Sequence, residues 1–553
     1  MTAMAGKNRQ GDLKLLLAEV IQHIAQVRDY LVDPSPSAMA DLRHKVAYIN
    51  TLAMVARNHN FDLESAESDD EKNKRLFHGL AAITSHLFRI AELALNVARQ
   101  YDHLTNPDFL DDYDLDVFFE HIDFGLSLIR PALEQKKMKL VVRLCQVEER
   151  LDIQYSIRFA RLIKELDHGC GNPGNRVTAL MTIHYLERIG DLIMEIGEEM
   201  IYIILGHNLK FSQYQALGVG LRASGRDGRL ADIGGFHSIW SGRSGCRINV
   251  VDGDAADVNR AEPVLFKHGP VAKMEEERKS LTTWAALWPG LPPAIQAFVP
   301  AGPGGEAGLL LEYIHGETLY DMMMGPDDVR ARKELTGALH LMASIWKETR
   351  VDEEVCAGFV RQAEKRLGPV RTLYPELINV RGAFGNITIK SIDHILNMAR
   401  EIERELAAPF SVRIHGDFNL SNVLRDDKGS YRLIDLHRSR LFDYAQDISV
   451  MIMSILRLPL SSVEEREKLS KAARLVWTFA KDFADTAADP TIEARLAFGL
   501  ARSYLTSARF EPRRSRAATY VGYSRYIWES LIKFSQKKCP WDDFKLDKRL
   551  LYV

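Results

Sequence analysis

At 553 residues the chain is longer than a single hydrophobic core organises, so at least two domains are expected. It is 46% hydrophobic and 27% charged with a net charge of −3, a balance that gives no reason to expect nucleic acid or an anionic membrane surface as the main partner. Five scattered cysteines without a CxxC pair suggest neither a disulfide framework nor a zinc knuckle, and the lack of a signal-peptide pattern or of an apolar run near ~20 residues leads us to expect a cytoplasmic protein, not an integral membrane one.

The first third reads as helix. After Asp12, apolar residues at Leu13, Leu16, Leu17, Val20, Ile21, Ile24, Val27 and Leu31 make the stripe of an amphipathic helix, which Pro34 and Pro36 end. Similar stripes recur in DLRHKVAYINTLAMVARN, HLFRIAELALNVARQYDHL, VFFEHIDFGLSLIRPALEQ and EERLDIQYSIRFARLIKEL, and from Arg176 to Leu205. Strand signals are nearly absent, so residues 1–215 are expected to form an all-α bundle. RIAELALNVA (89–98) and RIGDLIMEIG (188–197) match at an offset of 188 − 89 = 99 residues, which suggests two three-helix repeats. DDYDLD (111–116) alternates acids as a calcium loop does. Val117 and Asp123 stand where that loop needs Gly and Glu, so these acids read as charges at a helix start.

Glycines then accumulate, and residues 216–232 read as a linker. Strand-like runs in EPVLFKHG, AIQAFVPA and GLLLEYI, interrupted by the helical AKMEEERKSLTTWAAL, define a β-rich lobe over 233–315. Residues 316–553 are expected to form a larger, mostly helical lobe. The whole is therefore multidomain: a helical bundle followed by an α+β bilobal domain.

Two stretches of the last lobe carry chemistry: RIHGDFNLSNVL (413–424) and YRLIDLHRSRLFDYAQD (431–447). Phosphoryl transfer needs a carboxylate to orient the attacking hydroxyl, oxygen ligands for Mg²⁺, a lysine on the phosphates and a turn that lets backbone approach them. Asp417 is the candidate base. Asn422, five residues on, and Asp435, on the next strand, are candidate Mg²⁺ ligands. Lys267 in the apolar strand VLFK is the candidate phosphate lysine, with an edge-strand lysine as the plainer reading. Glu277 on the following helix would hold it, and Glu275 and Glu276 are its rivals. SGRSG (241–245), with Gly242, Ser244 and Gly245, is either the phosphate-covering turn or an ordinary hairpin loop. His415 reads as structural, packing behind the loop.

Residues from about 230 to 500 resemble the aminoglycoside phosphotransferase and choline kinase family, relatives of the protein kinases. HGDFNLSN matches the family's HGDxxxxN motif, and the Asp of LIDLH matches its metal-binding Asp. The resemblance implies ATP and Mg²⁺ as cofactors, with Asp417 as catalytic base, Asn422 and Asp435 on the metal, and Lys267 on the nucleotide phosphates paired with Glu277. Asp443 and Asp447 in FDYAQDIS would support the catalytic loop. The chain departs from the family in placing Leu436 and His437 where an aromatic and an acid often follow the metal Asp.

YLERIGDLIMEIG (185–197) and EEMIYIILG (198–206) resemble the closing helix of PhoU-family proteins, helical regulators of bacterial phosphate uptake, and the likeness extends over residues 10–215. That family binds clustered metal ions through an ExxxD pattern on facing helices. Glu187 and Asp191 reproduce it, whereas the first repeat has Phe88 and Glu92 at the matching positions; a solvated acidic face is the alternative. The expected protein is an ATP-dependent phosphotransferase acting on an alcohol group of a small-molecule acceptor. A PhoU-like domain would regulate it or link it to phosphate homeostasis through signalling or transporter proteins. The rival is a non-catalytic, nucleotide-binding regulator of phosphate uptake. Oligomeric state stays open, a homodimer included.

Overall fold

A computed structural model describes residues 2–66, 71–169, 172–206, 209–225, 236–239, 247–251, 262–300, 305–380, 382–384, 387–459 and 462–552. The chain divides into two units: Met1–Gly269 with Val299–Leu310, and Pro270–Phe298 with Leu311–Val553.

In the first unit the prolines act where the pattern places them, separating α1 (Thr2–Val32) from α2 (Pro36–Ala66), and α3 (Glu71–Tyr101) completes a first triple. A second triple follows: α4 (Asp116–Gln135), α5 (Met138–Asp167) and α6 (Pro173–Leu205). Within each triple all three helices pack on one another, and α3 lies against α6 to join the triples. The two matching decapeptides sit on these third helices, and their apolar positions, such as Ile90, Ala94, Ile189 and Ile193, are buried. Asp116 opens α4 as a helix-start charge, while Asp111 and Asp112 lie in a preceding 3-10 turn, Pro107–Tyr113. Residues Asn73–Tyr101 are long and apolar enough to cross a membrane by length and composition, and 44% of the most apolar 18-residue window within them is buried inside the fold.

Close packing of α5 on α6 rests on glycine. A Cβ at Gly190 would come within 2.7 Å of Leu151 Cδ1, and one at Gly197 would collide with Cys145 Sγ. Part of the expected linker is helical: α7 spans Phe211–Ala223. Buried Glu198 fixes its start, accepting the Phe211 N–H at 2.9 Å and the Lys210 ammonium at 2.7 Å. Near its far end Gly220 lies against Val299 and Leu310, with space for a Cβ only 3.3 Å from Val299 Cγ2. Three antiparallel strands follow, β1 (Phe236–Ile239), β2 (Arg247–Val251) and β3 (Val264–Pro270), registered by Phe236 opposite Val251 and Lys267 opposite Ile248.

The second unit opens with α8 (Val271–Leu287), whose buried face of Met274, Glu277, Leu281 and Trp284 follows the helical period. In chain order come β4 (Ile295–Val299) and β5 (Glu306–Glu312), of which Val299–Leu310 belong to the first unit, then β6 (Gly316–Thr318), α9 (Leu319–Met324), α10 (Asp328–Glu348), α11 (Phe359–Leu373) and α12 (Pro375–Ile378). A small hairpin, β7 (Gly382–Phe384) and β8 (Ile387–Ile389), precedes α13 (Ile392–Glu405). The motif-bearing strands are β9 (Val412–Ile414), β10 (Val423–Asp426), β11 (Tyr431–Leu433) and β12 (Arg440–Phe442). The chain ends with α14 (Ala445–Leu456), α15 (Val463–Ala487), α16 (Ile492–Ser507) and α17 (Arg514–Ser535). Every residue of α16 is buried, and α11, α14, α15 and α17 all pack on it. It is the core about which this unit is built.

Candidate active site

Two short ladders place the loop. β9 pairs antiparallel with β12, Ile414 opposite Arg440, and β10 pairs with both β11 and β6, Val423 opposite Leu433. Asp417 follows β9 and Asp435 follows β11, each two or three residues past its strand. The Ile434 N–H donates to the Asn422 carbonyl at 3.1 Å, pinning the second aspartate beside the loop.

Inside HGDFNLSN each polar residue has a geometric task. Asn422 Nδ2 donates to the Asp417 carbonyl at 2.9 Å, and Asn419 Nδ2 donates to it at 3.1 Å. The Asn419 Oδ1 accepts the Ser421 N–H at 2.9 Å and so shapes the 3-10 turn Leu420–Asn422. Gly416 has φ +86°, and a Cβ there would overlap the Arg438 carbonyl, so no other residue fits. Asp435 is itself in the left-handed region at φ +61°, an uncommon state for a non-glycine that clusters at functional sites. His415 is wholly buried, as expected of a structural residue. Its Nδ1 accepts the Asp417 N–H at 3.3 Å, and burial lowers its pKa.

The supports behind the loop divide their work differently from the sequence expectation. Asp447 does hold the loop: its two oxygens accept the His415 and Gly416 N–H groups, both at 2.8 Å. Burial pushes its pKa up to about 7. Asp443 does not reach the loop. It caps α14 through the Ala445 N–H at 2.9 Å and binds Arg495 of α16 at 2.6 Å, while Arg495 also pairs with Asp489.

On the metal side, Glu277 is only 1% exposed, whereas Glu276 is exposed and Glu275 reaches Arg278 at 3.4 Å, so of the three acids it is Glu277 that faces inward. Ligand atoms of Glu277, Asp435 and His437 all lie within 4.8 Å of one another. His437 Nδ1 is 3.0 Å from Asp435 Oδ1, and Arg438 Nε donates to His437 Nε2 at 3.1 Å. A neutral imidazole with its proton on Nδ1 satisfies both contacts. Arg438 also reaches Asp417 Oδ2 at 3.4 Å, so an unbroken polar chain connects the second aspartate to the first. Asp435 and Glu277 bring together two carboxylates, hard oxygen donors that suit Mg²⁺, with the His437 imidazole beside them. Lys267 is buried in β3 of the first unit, and Gly242, Ser244 and Gly245 lie outside the described residues.

Residues overlooked in the sequence complete the surroundings. Arg502 of α16 is 3% exposed and donates to Gln446 Oε1 at 3.1 Å and Ser449 Oγ at 3.3 Å, while its Nε makes no hydrogen bond. Burial, then Arg366, pushes its pKa down to about 9, with Asp417 acting in the opposite direction. Burial, then Arg438, lowers that of Arg366 on α11, again opposed by Asp417.

In the helical unit, Glu187 and Asp191 do share a face of α6, but the structure groups Asp191 with Glu148 and Asp152 of α5, ligand atoms within 4.8 Å. Burial raises the Glu187 pKa to about 7, helped by Asp191 and Asp152. It raises Glu148 equally, helped by Asp152 and Asp191. Glu148 and Asp152 repeat the i,i+4 acidic spacing within EERLD, a signal the sequence carried.

Residues 259–483 match the model described as "Phosphotransferase enzyme family". Comparison with curated proteins gives no match. Among solved structures, PhoU from Pseudomonas aeruginosa, similar to the N-terminal region, is 15% identical, covering 37% of this chain and 100% of that one, with a TM-score of 0.34. For the C-terminal region, the aminoglycoside phosphotransferase APH(3'')-Id from Streptomyces rimosus is 18% identical, covering 54% of this chain and 99% of that one, with a TM-score of 0.34. The choline kinase LicA from Streptococcus pneumoniae is 12% identical, covering 56% and 98%, with a TM-score of 0.34.

Proposed function

We propose that the chain is an ATP-dependent phosphotransferase acting on a hydroxyl of a small-molecule acceptor. The observation that carries this is that Asn422 donates to the Asp417 carbonyl and accepts the N–H of Ile434, the residue before Asp435, within a segment matching a phosphotransferase family. Asp417 orients the acceptor hydroxyl and takes its proton as the oxygen attacks the γ-phosphorus. The new P–O bond forms while the bond to the β-phosphate oxygen breaks, and ADP leaves with that electron pair. Asn422, Asp435 and Glu277 would hold Mg²⁺, which neutralises charge on the phosphates. Lys267 keeps the role of phosphate lysine. The helical unit regulates the activity or ties it to phosphate status, with Glu148, Asp152, Asp191 and Glu187 as proposed cation ligands.

One observation favours the rival, a regulator that binds nucleotide without turnover: Arg438 stands 3.4 Å from Asp417 Oδ2, one of the two oxygens that would meet an acceptor hydroxyl. Two substitutions separate the readings. Asp417→Asn should lower phosphotransfer by about 10²–10⁴-fold and leave nucleotide binding intact. Asp435→Ala should abolish Mg²⁺-dependent nucleotide binding in calorimetry. Turnover unchanged in Asp417→Asn would remove the base, and a wild type that binds no ATP–Mg²⁺ would end the phosphotransferase reading.

A further inference from the structure

Three arginines, Arg366, Arg438 and Arg502, act electrostatically around Asp417. Gln446 marks the spot, because its Oε1 accepts from Gln362 of α11 at 3.3 Å and from Arg502 of α16 at 3.1 Å, while its Nε2 donates to the Gly416 carbonyl at 3.4 Å. One amide therefore ties both helices to the residue before the candidate base. Arg366 follows Gln362 by four residues and so shares its face of α11, one turn on. Arg438 approaches from the opposite strand end, 3.4 Å from Asp417 Oδ2. One guanidinium thus contacts the carboxylate, and Arg366 and Arg502 act on it through charge from α11 and α16.

The acids acting most strongly on Arg366 and Arg502 are Asp417 and, on Arg502, Glu403. Among the described residues Arg366 makes no salt bridge, and the Arg502 Nε is buried without a hydrogen bond. Glu403 is the next carboxylate, yet its oxygens accept the Phe359 and Val360 N–H groups at the start of α11, and burial raises its pKa to about 7. A buried guanidinium with an unused donor is costly unless an anion meets it, and its planar fork matches phosphate and carboxylate oxygens. Conversely, an acceptor rich in ammonium groups would enter against this charge.

We infer that the acceptor is a small hydroxylated anion, a polyol bearing a phosphomonoester or carboxylate group, whose anionic end is held by Arg366 and Arg502 while its hydroxyl meets Asp417. This rests on the phosphotransferase reading. The transfer itself is unchanged: the hydroxyl oxygen gains the γ-phosphoryl group, its proton goes to Asp417, and ADP departs.

The test measures ADP release by the full chain with ATP–Mg²⁺ and each of glycerol 3-phosphate, glucose 6-phosphate, gluconate, choline and kanamycin, alongside ADP–Mg²⁺ binding in the same samples. A phosphate ester or the sugar acid should stimulate release, the two arms telling which anion is preferred. In Arg366→Gln the KM for that compound should rise about tenfold or more, as for a lost charge-assisted contact, with kcat little changed. Arg366→Lys should recover part of the loss. Stimulation by choline or kanamycin, a KM that ignores Arg366→Gln, or no response to any anion at millimolar concentration overturns the inference. Loss of ADP–Mg²⁺ binding in the wild type would instead bring down the phosphotransferase reading beneath it.

Discussion

Asp447 meets no reacting atom, yet the loop's shape depends on it. A carboxylate can accept two N–H groups at once, and here both oxygens do so, from the consecutive residues His415 and Gly416. An asparagine would present an NH₂ to one of those N–H groups and leave a buried donor unmet. Asp447→Asn should therefore cost ~1–3 kcal/mol of stability, seen as a lower urea midpoint, and reduce kcat more than nucleotide affinity. A variant with wild-type midpoint and kcat would show the loop holds itself. At this scale the short-range site was legible: Asp417 and Asn422 are five residues apart, and one turn brings them together. His437 was visible only as a departure from the family pattern. Its contact with Asp435 depends on that residue's left-handed backbone, which no spacing encodes. Arg366 and Arg502 escaped notice because their meaning depends on α11 and α16 meeting the loop from far along the chain.

Among elements, the helix stripes were legible because a 3.6-residue period needs no knowledge of the partner. α7 was not, since Gly218 and Gly220 lower its helical propensity and mimic a linker, and what holds it is Glu198 in the preceding helix. The ExxxD of α5 was equally hidden, because its importance comes from α6 lying alongside. That contact depends on small residues. Gly197→Val drives two methyl groups into Cys145 and should destabilise the helical unit by about 1–3 kcal/mol or more through overpacking. Gly197→Ala together with Cys145→Ala should recover much of the loss in thermal unfolding, and its failure to do so would place the strain elsewhere.

For the whole molecule, pH and divalent cations should act through the acidic cluster. Glu148 and Glu187 have folded-state pKa values raised to about 7 from the ordinary 4.5, so the native state holds more protons than the unfolded one between those values. The stability they contribute is present at low pH and lost as pH rises through about 7. His23 and His86, lowered by burial, act with the opposite sign, but only below about 6.5. In chelator the unfolding temperature should therefore fall between pH 6.5 and 8. Glu148→Gln with Glu187→Gln should lessen that fall, the rest of which comes from Glu403 and Asp447, also raised by burial to about 7, and added Mn²⁺ or Mg²⁺ should offset the cluster's share in the parent chain alone. An identical slope in the double variant would deny the cluster this role.

The arrangement around Asp417 has an evolutionary consequence. The loop that carries the base is fastened by α14 and two strand ladders, whereas two of its three arginines project from α11 and α16. Chemistry and selectivity therefore sit on separately mutable parts. Recruitment to a new acceptor could proceed by exchanges along one helix face, beginning at half-buried Arg366, while the machinery of transfer is inherited unchanged.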